Sequence, residues 1–327
     1  MLSLLQGDAL EKLHTLESKS VQCCVTSPPY WGLRDYGATS QLGLEPTPEA
    51  YIANMVAVFR EVSRVLRDDG TLWLNMGDCY AHNGACGGGS PVDNRDFEKY
   101  GRISRSSDAP KGRETDRKAQ LKTGGTLATG LKPKDLCMMP ARLAMALQAD
   151  GWYLRSDIIW HKPNPMPESV TDRPTKAHEY IFLLAKQERY FYDAEAIREA
   201  VAPGNEGATN GFYANRAQSM GRKPSGNEAL PIFQQPIRSE LRNKRSVWTI
   251  PTQPYAEAHF ATFPEELPKL CILAGSKLGD TVLDPFAGSG TTGQVAIELG
   301  RRAILIELNP NYCEMIQVRC TTTIGML

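Results

Sequence analysis

The chain has 327 residues, room for one large domain or two ordinary ones. Its 41% hydrophobic content is enough to bury a core, and no apolar run reaches the roughly 18 residues of a membrane span. The formal net charge is zero, which argues against a uniformly basic nucleic-acid binder. The opening MLSLLQGDALEKLH lacks the basic flank and cleavage site of a secretion signal, so a cytoplasmic location is expected, with no membrane partner.

In chain order, residues 10–16 carry a short helical pattern, and VQCCVT (21–26) is an apolar run of strand length. It runs into TSPPYWGLRDYG (26–37), where two prolines end regular pairing beside a hydroxyl and two aromatics. Residues 48–66 have apolar side chains at helical spacing, an Asp-Asp-Gly break follows, and TLWLNMGD (71–78) reads as the next strand. Strand, helix and strand at this length imply a parallel pair. Residues 81–134 lose periodicity and are rich in Gly, Ser and charge, which predicts a long insertion or mobile loop. PARLAMALQADGW (140–152) is a helix with a glycine stop, and LRSDIIWHK (154–162) is a strand that leads into the proline-stiffened KPNPMPES. HEYIFLLAK (178–186) and RYFYD (189–193) read as two strands joined by a tight turn. Residues 194–247 again lose periodicity. FPEELPKLCILAGS (263–276) is a helix, GDTVLDPFAGSGTTGQVAIELG (279–300) is strand, glycine loop and helix, RRAILIELN (301–309) is a strand and PNYCEMIQVRC (310–320) a last helix.

Charge is unevenly spread. Residues 93–134 hold eleven Lys/Arg against six Asp/Glu, and 216–245 hold seven against two, so two basic segments sit in an otherwise acidic chain. Solvated loops or a polyanion surface both fit. The eight cysteines form no C-x-x-C pair and read as reduced core thiols. Cys79 and Cys86 flank His82, the one constellation with ligand chemistry, and no metal is expected there.

The segment VLDPFAGSGTTGQVAIEL joins a strand to a helix through two closely spaced glycines. Asp284 ends the strand, Gly288 and Gly290 let the backbone approach a ligand, and Thr291 and Thr292 open the helix. Glu307 ends the following strand, placed to accept two ribose hydroxyls. A phosphate loop is excluded, since no G-K-[ST] follows. Gly293 completes G-x-G-x-x-G, so spacing alone leaves open a nicotinamide-dependent oxidoreductase, and a purely structural turn as well.

D-P-F-x-G-x-G-T-T near the C-terminus with T-S-P-P-Y near the N-terminus resembles the DNA amino-methyltransferases that use S-adenosylmethionine. The order, catalytic motif first and cofactor loop last, resembles their circularly permuted beta class. The resemblance spans about residues 4–80, 136–193 and 250–319. It implies one α/β domain: a doubly wound, mostly parallel, Rossmann-like sheet of seven strands, one antiparallel, with a small inserted recognition region. It also implies S-adenosylmethionine as cofactor and duplex DNA as substrate.

An exocyclic base amine is a poor nucleophile because its lone pair is delocalised into the ring. Acceptors that hold its hydrogens localise the pair and aim it. The Ser27 hydroxyl and the Pro28 carbonyl could be those acceptors, on a turn stiffened by Pro28 and Pro29, with Tyr30 as a stacking face for a flipped base. By resemblance, Ser27, Pro28 and Tyr30 match the family's catalytic motif; Trp31 with the following GLRDYG is expected to close over the base. Ser27 before Pro-Pro-Tyr favours N4 of cytosine, with N6 of adenine as the alternative. The absence of any Pro-Cys dipeptide disfavours ring-carbon methylation.

The same resemblance makes Asp8 (in QGDAL) a cofactor contact, although a helix N-cap fits it equally. Phe260 and Phe263 become pocket walls, and Asp284, Pro285, Phe286, Gly288, Gly290, Thr291, Thr292 and Glu307 the cofactor loop and its acid. Trp160, Lys162 and Asn164 (in IIWHKPNPMP) are implied to line the base pocket, with a plain core aromatic an equal reading of Trp160. Residues 1–80 with 136–193 then form the catalytic half, 81–135 a mobile basic insertion, 194–247 the target-recognition region and 248–327 the cofactor half. Arg216, Arg222, Lys223, Arg238, Arg242, Lys244 and Arg245 are the expected DNA contacts of the recognition region. A cognate restriction endonuclease is a possible partner, and the protein is a monomer or a homodimer. A catalytically inactive DNA-binding module is the rival outside catalysis.

Overall fold

A computed structural model describes residues 1–32, 41–82, 85–86, 130–201, 241–253 and 263–326. The chain divides into two compact units, Met1–Tyr192 with Ser246–Leu327, and Asp193–Arg245.

The larger unit is built on one sheet. Its N-terminal part contributes β1 (Leu2–Gln6), α1 (Ala9–His14), β2 (Val21–Thr26), α2 (Pro48–Val65) and β3 (Leu66–Met76). A two-residue ladder of β4 (Ala81–His82) and β5 (Ala85–Cys86) follows, then α3 (Met139–Ala149), β6 (Tyr153–His161) and β7 (His178–Ala185). In the smaller unit, β8 (Glu199–Ala200) pairs antiparallel with β9 (Leu241–Arg242). The larger unit resumes with β10 (Val247–Thr249), α4 (Glu266–Gly275), β11 (Thr281–Asp284), α5 (Thr291–Glu298), β12 (Arg302–Glu307) and α6 (Pro310–Met326).

The sheet order is β1-β12-β11-β2-β3-β7-β6-β10. Every pairing is parallel except those that β7 makes with β3 and β6. The last two long strands of the chain therefore lie between the first two. This topology gathers the C-terminal ends of β2, β3, β11 and β12, with the N-terminal end of β7, at one edge, where open parallel sheets bind ligands.

The strands fold as their sequences dictate. All six residues of VQCCVT are buried, the mark of a strand covered on both faces. Helix α2 begins at Thr47, whose side chain accepts from Ala50 N at 3.1 Å, with Pro48 in the first turn where a missing N–H costs nothing. It buries Tyr51, Met55, Val58, Phe59 and Val62, one helical face, in the main core. Each of these large side chains contributes about 1.5–3 kcal/mol by leaving water.

Two expectations need correction. The sheet has eight strands, not seven, because the three residues of β10 add a parallel edge to β6. RYFYD is not a strand: Tyr192 stacks on Trp73 at 6.4 Å and Phe191 N donates to Asp69 O at 2.9 Å, so its aromatics serve packing. Strand β1 carries no expectation from its short, mixed pattern, yet it pairs with β12 along its whole length. Most of the 81–135 insertion lies outside the described residues. Its stems are tied by Ala81 N to Asp135 O (2.8 Å), Lys134 N to Ala81 O (2.7 Å) and Cys137 N to Cys79 O (2.9 Å). Among the described residues, no helix is long and apolar enough to cross a membrane and no His/Cys/Asp/Glu group could hold a metal.

Candidate active site

Strands β2 and β11 are neighbours, and their C-terminal ends carry the two motifs. They are joined by a buried link. Thr26 Oγ1 donates to Asp284 Oδ1 at 2.6 Å, Thr292 Oγ1 donates to Oδ2 at 2.7 Å, and Phe286 N–H donates to Oδ1 at 3.0 Å. Asp284 is only 1% exposed, and burial pushes its carboxyl up to about 6. Each of its oxygens accepts from the protein, so it binds the catalytic strand to the glycine loop and to the start of α5.

Gly288 and Gly290 both sit at positive φ, +51° and +83°. A Cβ on Gly290 would come within 2.9 Å of Ile316, so that glycine serves the packing of α6. A Cβ on Gly288 would meet nothing within 4 Å. The open space lies over Gly288, whose N–H donates to Glu307 Oε2 at 2.8 Å. Glu307 Oε1 accepts from Asn309 N at 2.8 Å, and burial raises the Glu307 carboxyl above its usual range. Gly293 is explained by packing: its Cβ would lie 2.4 Å from Leu305. Arg319 of α6 ties down the loop, reaching Thr291 Oγ1 at 3.1 Å and Ser289 Oγ at 3.3 Å. Asp8 caps α1 by accepting from Glu11 N at 3.0 Å, and Gly7 N donates to Glu307 O at 2.9 Å, which places the cap beside the end of β12.

An acid at the end of β12 beside an open, side-chain-free backbone turn fits a nucleoside with ribose hydroxyls. Gly288→Ala should cost about 1 kcal/mol of stability from its φ. It should also weaken S-adenosylhomocysteine binding tenfold or more in isothermal titration, because the methyl group enters the open space.

At the other motif, Ser27 Oγ donates to Tyr30 Oη at 3.3 Å and Tyr30 Oη donates to Glu179 Oε2 at 2.8 Å. Burial, with Glu179 next in effect, holds the Tyr30 hydroxyl well above its usual range, so it stays a donor. Glu179, the second residue of β7, is also ion-paired with Lys162. Asn75 at the end of β3 donates to Glu179 Oε2 (3.3 Å) and Tyr180 O (3.1 Å). Gly77 admits the tyrosine ring: a Cβ there would lie 2.7 Å from Tyr30 Cε2. Tyr51 Oη donates to Pro29 O at 2.9 Å and fixes the turn, while Pro28 O takes no hydrogen bond among the described residues.

Trp31 and Trp160, expected against the base, are instead core residues, 4% and 3% exposed. Trp31 Nε1 donates to Glu45 O and Trp160 Nε1 to Ile250 O, at 2.8 and 2.9 Å. The two indoles are satisfied by backbone carbonyls, and Lys162 Nζ lies 4.2 Å over the Trp160 ring. Asn164 pins its loop to the segment after β10, exchanging bonds with Thr252 N (2.9 Å) and Thr252 O (3.3 Å). Phe263 is half-buried and Pro285 fully buried in the turn after Asp284. In the smaller unit, Arg242 and Arg245 both donate to Glu199 Oε1, at 3.0 and 2.6 Å, and Lys244 is partly exposed. Phe260, Arg216, Arg222, Lys223, Arg238 and most of GLRDYG lie outside the described residues.

Asn75, Gly77 and Glu179 escape a reading by motif. Their only signal is one charged residue heading an otherwise apolar strand, HEYIFLLA, and a glycine closing another.

A parallel sheet with one antiparallel strand, an acid-tipped β12 and an open glycine loop beside a Ser-Pro-Pro-Tyr turn define a Rossmann-like methyltransferase. The DNA methylase family of N6/N4 methyltransferases matches residues 21–318. The chain belongs to this family and is a DNA amino-methyltransferase whose methyl donor is S-adenosylmethionine. It is 46% identical over 313 residues to the type II methyltransferase M.Cfr9I of Citrobacter freundii, covering 96% of this chain and 85% of the relative. It is 44% identical over 316 residues to M.SmaI of Serratia marcescens, covering 97% and 89%. Two solved structures share the fold. The PvuII DNA methyltransferase (cytosine-N4-specific) has a TM-score of 0.58 at 21% identity, covering 97% of this chain and 86% of that one. TTHA0409 from Thermus thermophilus, a putative DNA modification methylase complexed with S-adenosyl-L-methionine, has 0.56 at 24% identity, covering 100% and 96%.

Proposed function

We propose that the enzyme methylates N4 of a cytosine flipped out of duplex DNA at a short recognition sequence. The observation that carries this is the Thr26–Asp284 bond, which brings the Ser-Pro-Pro-Tyr turn and the glycine loop to one edge of the sheet. Support for cytosine over adenine comes from Ser27 at the head of the turn and from the fold likeness to a cytosine-N4-specific enzyme.

The bound donor supplies an electrophilic methyl group on a sulfonium. Glu307 would hold the ribose hydroxyls with the lone pairs its two backbone N–H partners leave, Gly288 would let the nucleoside approach, and Asp8 would meet it from the start of α1. Ser27 Oγ and Pro28 O accept the two amino hydrogens, which withdraws the nitrogen lone pair from the ring and directs it in line. Tyr30 supplies a stacking surface, worth about 1–3 kcal/mol for a flipped base. No strong base is needed before transfer, since the product ammonium loses its proton readily afterwards.

The 194–247 segment is assigned to target recognition and the 81–135 insertion to further DNA contact, both on their basic composition. Glu199 already neutralises Arg242 and Arg245, so phosphate contact there requires these arginines to change partner. The likeness to type II methyltransferases supports a companion endonuclease of the same specificity.

The test is nucleoside mass spectrometry of unmodified duplex DNA incubated with the enzyme and S-adenosylmethionine. N4-methylcytosine is the expected product. N6-methyladenine would overturn the base assignment, and no methylated nucleoside would overturn the activity.

A further inference from the structure

Four residues from three parts of the chain form one chain of contacts that runs into the Ser-Pro-Pro-Tyr turn. Lys162, just beyond β6, is ion-paired with Glu179 Oε1. Glu179 Oε2 lies 2.8 Å from Tyr30 Oη, and Tyr30 Oη lies 3.3 Å from Ser27 Oγ. The proton positions along this chain follow from the partners' chemistry. An ammonium group only donates and a carboxylate only accepts. Both members of the Lys162–Glu179 pair are largely buried, and the ammonium neutralises the carboxylate directly. Glu179 Oε2 therefore accepts the hydrogen bond from the Tyr30 hydroxyl, which keeps its proton. The other candidate for that proton, Asn75 Oδ1, is farther away at 3.4 Å and uncharged, and its own Nδ2 already donates to Glu179. With its proton committed, Tyr30 Oη can only accept from Ser27, and the Ser27 proton turns inward.

We infer that the Lys162–Glu179 ion pair is a positioning device that sets the direction of the hydrogen-bond chain through Tyr30, so that Ser27 shows the target base lone pairs and no hydrogen. The inference rests on the proposed role of Ser27 as an acceptor for the amino group. It adds a reason why a hydroxyl, which can donate as easily as accept, behaves there as an acceptor. It also gives Tyr30 a second task besides stacking, and assigns a function to Glu179 and Lys162 that does not require either to touch DNA.

Glu179→Gln keeps size and shape but breaks the polarity. The amide oxygen must face Lys162, so the NH₂ faces Tyr30 and donates to it. The Tyr30 proton is then released towards Ser27 or Asn75, and Ser27 turns its own hydrogen outward for part of the time. The single-turnover methylation rate of Glu179→Gln should fall about tenfold or more, the scale of one positioned hydrogen bond in catalysis. The KM for DNA and the affinity for S-adenosylhomocysteine should stay at wild-type values. Tyr30→Phe keeps the ring and removes the hydroxyl that relays the polarity. In that background Glu179→Gln should cost nothing more, a strongly non-additive cycle. Single-turnover rates resolve falls of several decades, so the cycle is readable even if Tyr30→Phe is slow. A wild-type rate for Glu179→Gln, or the same fold-loss in both backgrounds, would overturn the chain while leaving the methyltransferase reading intact. A wild-type enzyme that transfers no methyl group would overturn the reading beneath it.

Discussion

Ser27→Ala should reduce the single-turnover methylation rate by about 10²–10³, the scale of a lost donor or acceptor aimed at developing charge. The amine of a cytosine shares its lone pair with the ring, so the nitrogen becomes a nucleophile only as its hydrogens are held out of plane. Ser27 Oγ and Pro28 O are the two acceptors at the turn, and the alanine variant leaves one. The loss falls on the transition state, where the nitrogen gains positive charge and its hydrogens become stronger donors. The rate constant should therefore drop with little change in KM for DNA. Cofactor affinity should be untouched, because the glycine loop is fixed through the side chains of Thr26, Asp284 and Glu307, whereas the Ser27 hydroxyl bonds to Tyr30. Titration with S-adenosylhomocysteine reads the second quantity and quenched methyl transfer reads the first. A wild-type rate would remove Ser27 from the mechanism, and a parallel loss of cofactor binding would show the substitution to be structural.

The architecture is legible where local pattern and tertiary role coincide. The run VQCCVT is apolar throughout because both faces of β2 are covered, and the glycine turn after VLDP is visible because positive φ demands glycine. Reading fails where a residue's partner lies far along the chain. Tyr30, Asn75, Lys162 and Glu179 meet only because β7 runs backwards between β3 and β6, and no spacing encodes that contact. The two tryptophans mislead for a related reason. Placed beside proline-rich turns, they look like stacking surfaces, yet each indole N–H finds a backbone carbonyl and the ring goes into the core. Aromatic-rich RYFYD likewise has strand composition while its rings pack on the sheet face and on neighbouring side chains. Asp284 is found by its motif, but its structural task is not: only coordinates show that Thr26, Thr292 and Phe286 all donate to it.

Asp284 should also make stability depend on pH in a way that Asp284→Asn abolishes. Its carboxyl titrates near 6 in the folded chain against 3.8 for an ordinary aspartate, because burial outweighs the stabilising bonds from Thr26, Thr292 and Phe286. A carboxyl with a raised folded value takes up a proton on folding between those limits. The stability it contributes is complete below pH 3.8 and is lost as pH rises through about 6. The difference across that window is on the order of 3 kcal/mol. Asp284 adds to the raised value of Glu307, so Asp284→Asn eases that carboxyl as well, and the comparison reads Asp284 together with this smaller coupled effect. Wild type should lose several degrees of melting temperature relative to Asp284→Asn between pH 4 and pH 7. Parallel melting curves over that range would show that Asp284 does not titrate there. Asp284→Ala should behave differently. It strands the Thr26 hydroxyl in the core and the Phe286 N–H in a half-buried turn, at about 1–3 kcal/mol each, while Thr292 Oγ1 keeps Val25 O at 3.4 Å. The relief of a buried charge offsets part of that loss at pH 7 and none of it below pH 4, so the alanine variant should be most destabilised in acid. Since the same carboxylate fastens the catalytic strand to the cofactor loop, Asp284→Ala should lose S-adenosylhomocysteine affinity as well as stability, whereas Ser27→Ala should lose neither.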